Sequence, residues 1–405
     1  VFPLTSSDGK MLLMVGENVS KDNYPRRVVA VANLGFNAAY LKLSGRNLRD
    51  LQGESSLANL PVSQENGFIM TSSTWHDSAK GNVFWSEINS ANICGSPVEA
   101  NDNPVRVNLE RLSAKVAVFA KPDAGKGDDG RFIIASRPVV DKDGNSVQKI
   151  FHAEILGWDL NATTEKSYLF KRVDQKNVPF TGWNYPGAFR SYWAETPDQE
   201  LSKSFCWEGL SRSVGKYAYC YENTLDHAGG SDFQDAATDA TKVLIKARVT
   251  DSEGNPQDLI SFSGTLYSTD DFRRKVALYA GGGSGDEDNV EFKREIPGKL
   301  HIVSTYYNGE KLPEFDNIRH WDKGICYYVA NIRHAYDGNG KSVYGVVRNH
   351  AYHINITSIA GLGTPGGPGD HPTPENPDPE LSSYVTAEVK VLDWHLLDYE
   401  VDVES

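Results

Sequence analysis

Sulfur is scarce in this chain. Four cysteines and three methionines are spread over 405 residues. The cysteines, Cys94, Cys206, Cys220 and Cys326, form no C-x-x-C pair and have no histidine at zinc-finger spacing. That argues against a metal site built on cysteine and a fold that depends on disulfides. The one pairing left open is Cys206 with Cys220. Long apolar runs are missing as well: the longest is of the order of Leu12 to Val15, against the roughly 20 residues a membrane helix needs. No basic-then-apolar leader opens the chain, and it begins at Val1 rather than at Met, which leads to the expectation of a processed, exported product. Positive charge is in deficit: 41 basic against 54 acidic side chains give a net charge of -13. Such a surface repels phosphate backbones and anionic lipid, so nucleic acid is not an expected partner.

Catalytic signatures are also absent. There is no G-x-S-x-G, no H-E-x-x-H and no phosphate-cradling glycine loop, and no motif fixes two carboxylates together in a cleft. Trp75-His76-Asp77 and His320-Trp321-Asp322 each place a histidine near an acid. Adjacent residues on an extended chain face opposite ways, so proximity in sequence makes no dyad, and a solvated loop is the plain reading of the first. His350 and His353 fall on opposite faces of a strand, which argues against a shared metal. Asp141-Lys-Asp-Gly-Asn145 opens like an EF-hand, but Ser146 stands where that loop needs Gly and His152 where it needs Glu. A hairpin turn is the better reading. The expectation is no enzyme, no cofactor and no metal.

Aromatic residues, by contrast, are plentiful, with 19 Tyr, 16 Phe and 8 Trp, a composition that favours sheets. Strand patterns occur at Met11–Val15, Arg27–Asn33, Val105–Ala120 with a bulge near Leu112, Phe132–Ala135, Thr241–Val249, Gly324–Ile332 and Val343–Ile359. Short helices are expected within Leu41–Leu51, Ser55–Leu60 and Asp270–Ala280. Asp251–Asn255 and Asp337–Gly340 repeat the Asp-Gly chemistry of hairpin turns. No short repeat appears. Many strands with few helices predict an all-β protein of sandwiches. Its length suits two domains, expected over 1–173 and 174–360. A Gly- and Pro-rich tether over 361–383 and a strand segment over 384–405 complete the chain.

That last segment alternates strictly. Val385, Ala387, Val389 and Val391 form one apolar row, Leu392, Asp393 and Trp394 interrupt it, and Leu397, Tyr399, Val401 and Val403 form a second row opposite Asp398, Glu400, Asp402 and Glu404. Period two is the mark of a half-buried strand. The strands either fold back on their own domain or add to the sheet of another copy. In the second case Val385, Val389, Val391, Trp394, Leu397, Tyr399, Val401 and Val403 are the donor residues.

Several stretches together resemble the fimbrillins of Bacteroidales, the subunits of type V pili. They are Gly67-Phe-Ile-Met-Thr-Ser-Ser73, Val105-Arg-Val-Asn-Leu-Glu-Arg-Leu-Ser-Ala-Lys-Val-Ala-Val118, Tyr219-Cys-Tyr-Glu-Asn223 and Tyr344-Gly-Val-Val-Arg-Asn-His-Ala-Tyr-His-Ile354. The end, Thr386–Trp394 followed by Tyr399-Glu-Val-Asp-Val403, is similar to the terminus of the shaft subunit of the short, or minor, fimbriae. The resemblance implies two transthyretin-like β-sandwich domains in tandem and a C-terminal donor-strand segment. It implies export as a lipoprotein precursor, a cut by an arginine-specific protease, and a groove filled by the next subunit's C-terminal strands. Nothing before Met11 reads as a good first strand, in keeping with its removal. The implied partners are other copies of the chain, accessory and anchor fimbrial subunits, and host or bacterial surface ligands. The implied setting is a fimbria attached to the outer membrane that supports adhesion and biofilm formation. The competing readings are an accessory or tip adhesin of the same fimbria, and a secreted carbohydrate-binding module for which the aromatics of Trp183–Trp193 speak.

Overall fold

The computed structural model describes residues 2–5, 11–14, 23–33, 47–52, 67–77, 79–121, 130–141, 143–173, 193–197, 210–224, 240–262, 264–280, 318–336, 342–365 and 384–393. Up to Leu112 the chain builds short ladders. β1 (Phe2–Thr5) pairs antiparallel with β2 (Met11–Met14), so a strand does precede Met11, contrary to expectation. The run 27–33 is not one strand. It breaks into β3 (Arg27–Val28) and β4 (Val31–Ala32), and ends at Asn33 with a φ of 62°. After α1 (Leu48–Gln52) come β5 (Met70–Ser72), β6 (Trp75–Asp77), β7 (Gly81–Val83) and β8 (Ser86–Glu87). The expected helix at 55–60 lies outside the described residues. β3 pairs with β8, and β4 and β5 with each other. Residues 75–77 form a hairpin with β7 rather than a loop, and Asp77 Oδ1 shapes the turn by accepting from the N–H groups of Ala79 and Lys80 at 2.9 and 2.8 Å. α2 (Pro97–Asp102) starts at Ser96, whose hydroxyl accepts from Glu99 N–H.

The alternation from Val105 to Ala120 gives two strands in different sheets. β9 (Leu109–Arg111) completes a three-stranded sheet with β4 and β5, and β10 (Ser113–Ala120) enters a four-stranded one. Leu112, fully buried, is where the chain changes sheets, so what reads as a bulge is a crossing.

The rest is a sandwich. β11 (Phe132–Val140) and β12 (Ser146–Asn161) form a hairpin at the expected turn, where Asp141 Oδ1 accepts from Asp143 N–H and Asn145 N–H at 2.9 and 2.8 Å. Then follow β13 (Tyr217–Tyr221), β14 (Lys242–Thr250), β15 (Leu259–Phe262), β16 (Thr265–Ser268), α3 (Thr269–Ala280), β17 (Ile318–Trp321) and β18 (Ile325–Asn331). β19 (Arg333–Tyr336), β20 (Ser342–Tyr344), β21 (His350–Ala360), β22 (Thr364–Pro365) and β23 (Tyr384–Asp393) end the described chain. One sheet runs β13-β10-β21-β23 and the other β17-β15-β16-β11-β12-β14-β18-β22. Asp251 closes a turn of the same kind as Asp141, but the strands it joins, β14 and β15, are not neighbours. Turn 337–340 lies outside the described residues, while its flanking strands β19 and β20 do pair. α3, where a helix is expected, lays Phe272 against Phe262 and Tyr267.

Ala114, Val116 and Val118 of β10 and Tyr352, Ile354 and Ile356 of β21 share one buried cluster with Ile134, Phe151, Val243, Ile245 and Ala247 of the facing sheet. That cluster corrects the expected division at residue 173. β12 pairs with β14 and β10 with β13 and β21 across that point, so 1–173 and 174–360 are not separate sandwiches. The tether is also shorter than expected. Residues 361–365 are fastened to the sandwich: Trp321 Nε1 donates to Leu362 O and Gly363 O at 3.0 and 3.2 Å, the Tyr328 hydroxyl donates to Gly361 O at 3.0 Å, and β22 pairs with β18. Cys220 is a free buried thiol, with burial raising its pKa to about 12; Cys206, its expected partner, lies outside the described residues.

Candidate functional site

Two features carry the functional argument: the edge strand β23 and a buried cluster of charges beneath the other end of its neighbour. β23 pairs antiparallel with β21 of its own chain. Val385 stands opposite Ile359, Ala387 opposite Ile356, Val389 opposite Ile354 and Val391 opposite Tyr352. All four partners are core residues, no more than 3% exposed. Directly opposed residues share a face of the sheet, so the first apolar row of the C-terminal segment registers with the core row of its own sandwich. The intervening Thr386 and Lys390 stand opposite Ser358 and His353, which are half-buried. Trp394, Leu397, Tyr399, Val401 and Val403 lie outside the described residues. The structure therefore brings Val385, Val389 and Val391 together on one strand in cis. β23 is the last strand in the order of the four-stranded sheet, and an edge strand offers one row of backbone groups for further pairing.

The charge cluster gathers the sequence motifs that stand far apart in the chain. The Arg348 guanidinium is fully buried and paired with the equally buried Glu222 carboxylate, with Nε 2.7 Å from Oε1. It also donates to Ser167 Oγ, Tyr168 O and Leu169 O at 2.9, 2.8 and 3.3 Å. Next to it Lys171 Nζ and Glu110 Oε2, both fully buried, lie 2.9 Å apart. Glu110 belongs to β9 and Lys171 to the segment 167–173. The sequence presents that segment as a domain boundary, whereas it lies directly under Arg348. The Glu110–Lys171 contact is an ion pair buried on both sides. Accordingly burial pushes the Glu110 carboxyl above its ordinary range, and Lys171 and Arg348 oppose that only in part.

Neutral residues of the same motifs complete the cluster. Asn223 exchanges backbone hydrogen bonds with Val346, and its Nδ2 donates to Ala162 O at 2.9 Å. Gly345, with a φ of 139°, passes so close that a Cβ there would lie 2.6 Å from Asn223 O; only glycine fits. Asn349 adopts the left-handed conformation that Asn tolerates, with a φ of 61°. Its N–H donates to Ser113 O, and its Oδ1 accepts from Arg111 N–H. The Tyr352 hydroxyl accepts from Val347 N–H at 2.8 Å and lies 2.6 Å from His334 Nδ1. Burial, with further pushes from Cys220 and Glu222, holds that phenol well above its ordinary pKa. The Glu-Asn and Val-Arg-Asn-x-x-Tyr stretches are thus two halves of one contact, joining the small sheets to the sandwich.

In the sequence Glu110 is one of the charges interleaved with the apolar residues of the 105–120 strand pattern; in the structure it is interior, two residues before the chain changes sheets. Lys171 carries no signal of burial in its neighbourhood. One further group was missed. Asp258, His320 and Asp322 bring a carboxylate oxygen, an imidazole nitrogen and a second carboxylate oxygen within 4.8 Å of one another. The sequence shows His320 and Asp322 two residues apart, but β17 ends at Trp321 and it is the turn beginning at Asp322 that returns this carboxylate towards the imidazole.

Residues 319–400 match the family described as Major fimbrial subunit protein type IV, Fimbrillin, C-terminal. No curated protein matches the chain. Solved structures described as cell adhesion proteins are similar to it. That of Parabacteroides distasonis ATCC 8503 is 14% identical with a TM-score of 0.37, covering 92% of this chain and 76% of its own. That of Bacteroides eggerthii DSM 20697 is 14% identical with a TM-score of 0.36, covering 91% and 78%. The C-terminally truncated tip fimbrial protein Mfa3 from Porphyromonas gingivalis is 12% identical with a TM-score of 0.33, covering 91% and 80%. The matched family segment takes in nearly all of β17 to β23, including Arg348, Asn349, Tyr352, the tether and the edge strand, and over that span the chain is similar to the C-terminal region of fimbrillins.

Proposed function

We propose that this protein is a structural subunit of a cell-surface fimbria, a shaft component without catalytic activity that polymerises through its C-terminal strands. The observation that carries the proposal is the position of β23: a strand with an apolar row in register with the core, at a sheet edge, within the span similar to the C-terminal region of fimbrillins. The tether adds reach. Residues 366–383, from Pro365 in one sheet to Tyr384 in the other, can span at most about 60 Å, whereas packed sheets stand only about 10 Å apart.

Because Val385, Val389 and Val391 register with the core of their own chain, their role in this proposal is to close the subunit. The second row, Trp394, Leu397, Tyr399, Val401 and Val403, is the donor. It continues from β23 and enters a groove on the next copy. Export as a lipoprotein precursor, attachment at the outer membrane, accessory and anchor partners, and adhesion to host or bacterial surfaces belong to the same proposal.

Truncation separates the two rows. Removal of residues 394–405 leaves a folded monomer with an unchanged thermal midpoint that forms no filaments by electron microscopy. Removal of residues 384–405 also lowers the midpoint. Filaments formed by the shorter truncation, or its unfolding, would overturn the assignment.

A further inference from the structure

Apart from the charge cluster and β23, one set of ligating side chains converges on the outer face of the eight-stranded sheet. β15 and β17 pair with Leu259 opposite Trp321 and Ile260 opposite His320. Trp321 is fully buried and points inward. His320, one residue back along β17, therefore lies on the opposite face. Asp322 opens the single 3-10 turn that follows β17, and Asp258 immediately precedes β15; the ligating atoms of all three lie within 4.8 Å of one another. His320 Nε2 is 2.7 Å from Asp258 Oδ1, which also accepts from the Thr269 hydroxyl at 2.7 Å. All three ligating residues are half-buried.

A His-Asp ion pair explains two of these groups and leaves the third. Asp322 sets a second carboxylate beside the first, and like charges this close are unfavourable. Of the nearby cations, Arg273 pairs with Asp270 at 3.8 Å and also lies within electrostatic reach of Asp258, and Lys323 follows Asp322 in a left-handed turn with a φ of 49°. One imidazole with two carboxylates is a donor set suited to zinc and its neighbours. Three atoms within 4.8 Å need only small side-chain rotations to reach the roughly 3.4 Å spacing that metal–ligand bonds of about 2.1 Å impose on a tetrahedron.

We propose that Asp258, His320 and Asp322 form a divalent transition-metal site of the zinc type, its remaining position open to water or to a donor from another molecule. The site is not required for the fold. Its effect is local: the strand it grips carries Trp321, whose indole holds Leu362 and Gly363 at the root of the tether. An ion on one face of β17 thus braces the point from which the C-terminal strands depart.

The test is calorimetric titration of the full chain, stripped with EDTA, with zinc chloride, alongside visible absorption after cobalt(II) addition. The wild type binds one ion per chain at micromolar affinity, gains a cobalt spectrum of a low-coordinate site, and melts a few degrees higher with zinc. Asp322→Asn weakens binding by more than about tenfold, and combining it with His320→Gln abolishes binding, with circular dichroism unchanged. Should Asp322→Asn fail to fold, Asp322→Ser carries the same comparison. Zinc bound equally well by the Asp322 variant would locate it among the other histidines and overturn the proposal. So would no binding at millimolar zinc.

Discussion

The residues before Leu112 and those after it solve the problem of burying a sheet in different ways. In the sandwich, long strands such as β12 and β14 interlock over one apolar cluster. The small sheets have strands of two to four residues and a modest cluster around Leu51, Ile69, Phe84 and Leu112. Leu169, Phe170 and Tyr221 of that cluster are supplied from later in the chain. Short strands cannot stand on their own ladders. What fastens them is the polar cluster: Glu110 to Lys171, and Arg111 to Asn349. A region poor in apolar contact is held by buried charge, and buried charge is unforgiving of a missing partner.

The largest effect that tests this contrast comes from breaking one ion pair. Glu222→Gln or Arg348→Met alone leaves an unpaired buried charge and is expected to cost about 3 to 5 kcal/mol in denaturant unfolding. Combining Glu222→Leu with Arg348→Met costs much less than the sum. Hydrogen exchange in either single variant rises at 70–72 and 109–111 before it rises at 243–249; a uniform rise would show that the two regions are not held differently.

Within the sandwich, Val389→Asp places a charge at a position registered with Ile354 and is expected to cost several kcal/mol. Lys390→Ser, opposite half-buried His353, costs less than about 1 kcal/mol. Equal losses in thermal melts would mean that β23 does not close the core.

Gly363 and Gly81 sharpen the comparison at matched backbone angles, with φ of 73° and 74°. A Cβ at Gly363 meets Tyr328 Cζ at 2.8 Å and Cys326 Cβ at 3.0 Å, whereas at Gly81 nothing lies within 4 Å. Gly81→Ala is expected to cost about 1 kcal/mol from backbone strain alone, and Gly363→Ala about 1 to 3 kcal/mol more from overpacking. Chemical denaturation of the two variants gives the difference directly.

The smallest effect is a slope. The Glu110 carboxyl has a raised folded-state pKa, so between its unfolded and folded values the folded chain holds a proton that the unfolded chain has lost. Its contribution to stability is therefore present at low pH and declines as pH rises through the folded pKa. Glu110→Gln flattens that part of the profile of melting temperature against pH.

Much of the sandwich was legible because its signals are local. Val243, Ile245, Ala247 and Val249 alternate and are all buried. Asp141 with Gly144 writes its own turn. The apolar row 385–391 announces a strand, though not that it pairs in cis. What could not be read is whatever depends on a distant partner. No local pattern says that β10 lies parallel to β21, that Glu110 faces inward, or that Trp321 bolts down Leu362. Periodicity gave one strand over 105–120 because the two phases it joins are equally good strands; the sheet change at Leu112 is decided by tertiary contacts alone. The same limit explains the misplaced boundary at 173, where the segment 167–173 lies beneath an arginine that arrives 175 residues later.

The parallel pairing of β10 with β21 also sets an order in time. β10 emerges early in synthesis, yet β21 and the Asn349 that caps the Ser113 carbonyl come more than 230 residues later. Neither the four-stranded sheet nor the Arg111–Asn349 fastening of the small sheets can form until β21 is present. Contacts of such separation fold slowly. A chain with this wiring stays pliable through its earlier strands and becomes rigid only when β21 and Asn349 arrive to close them.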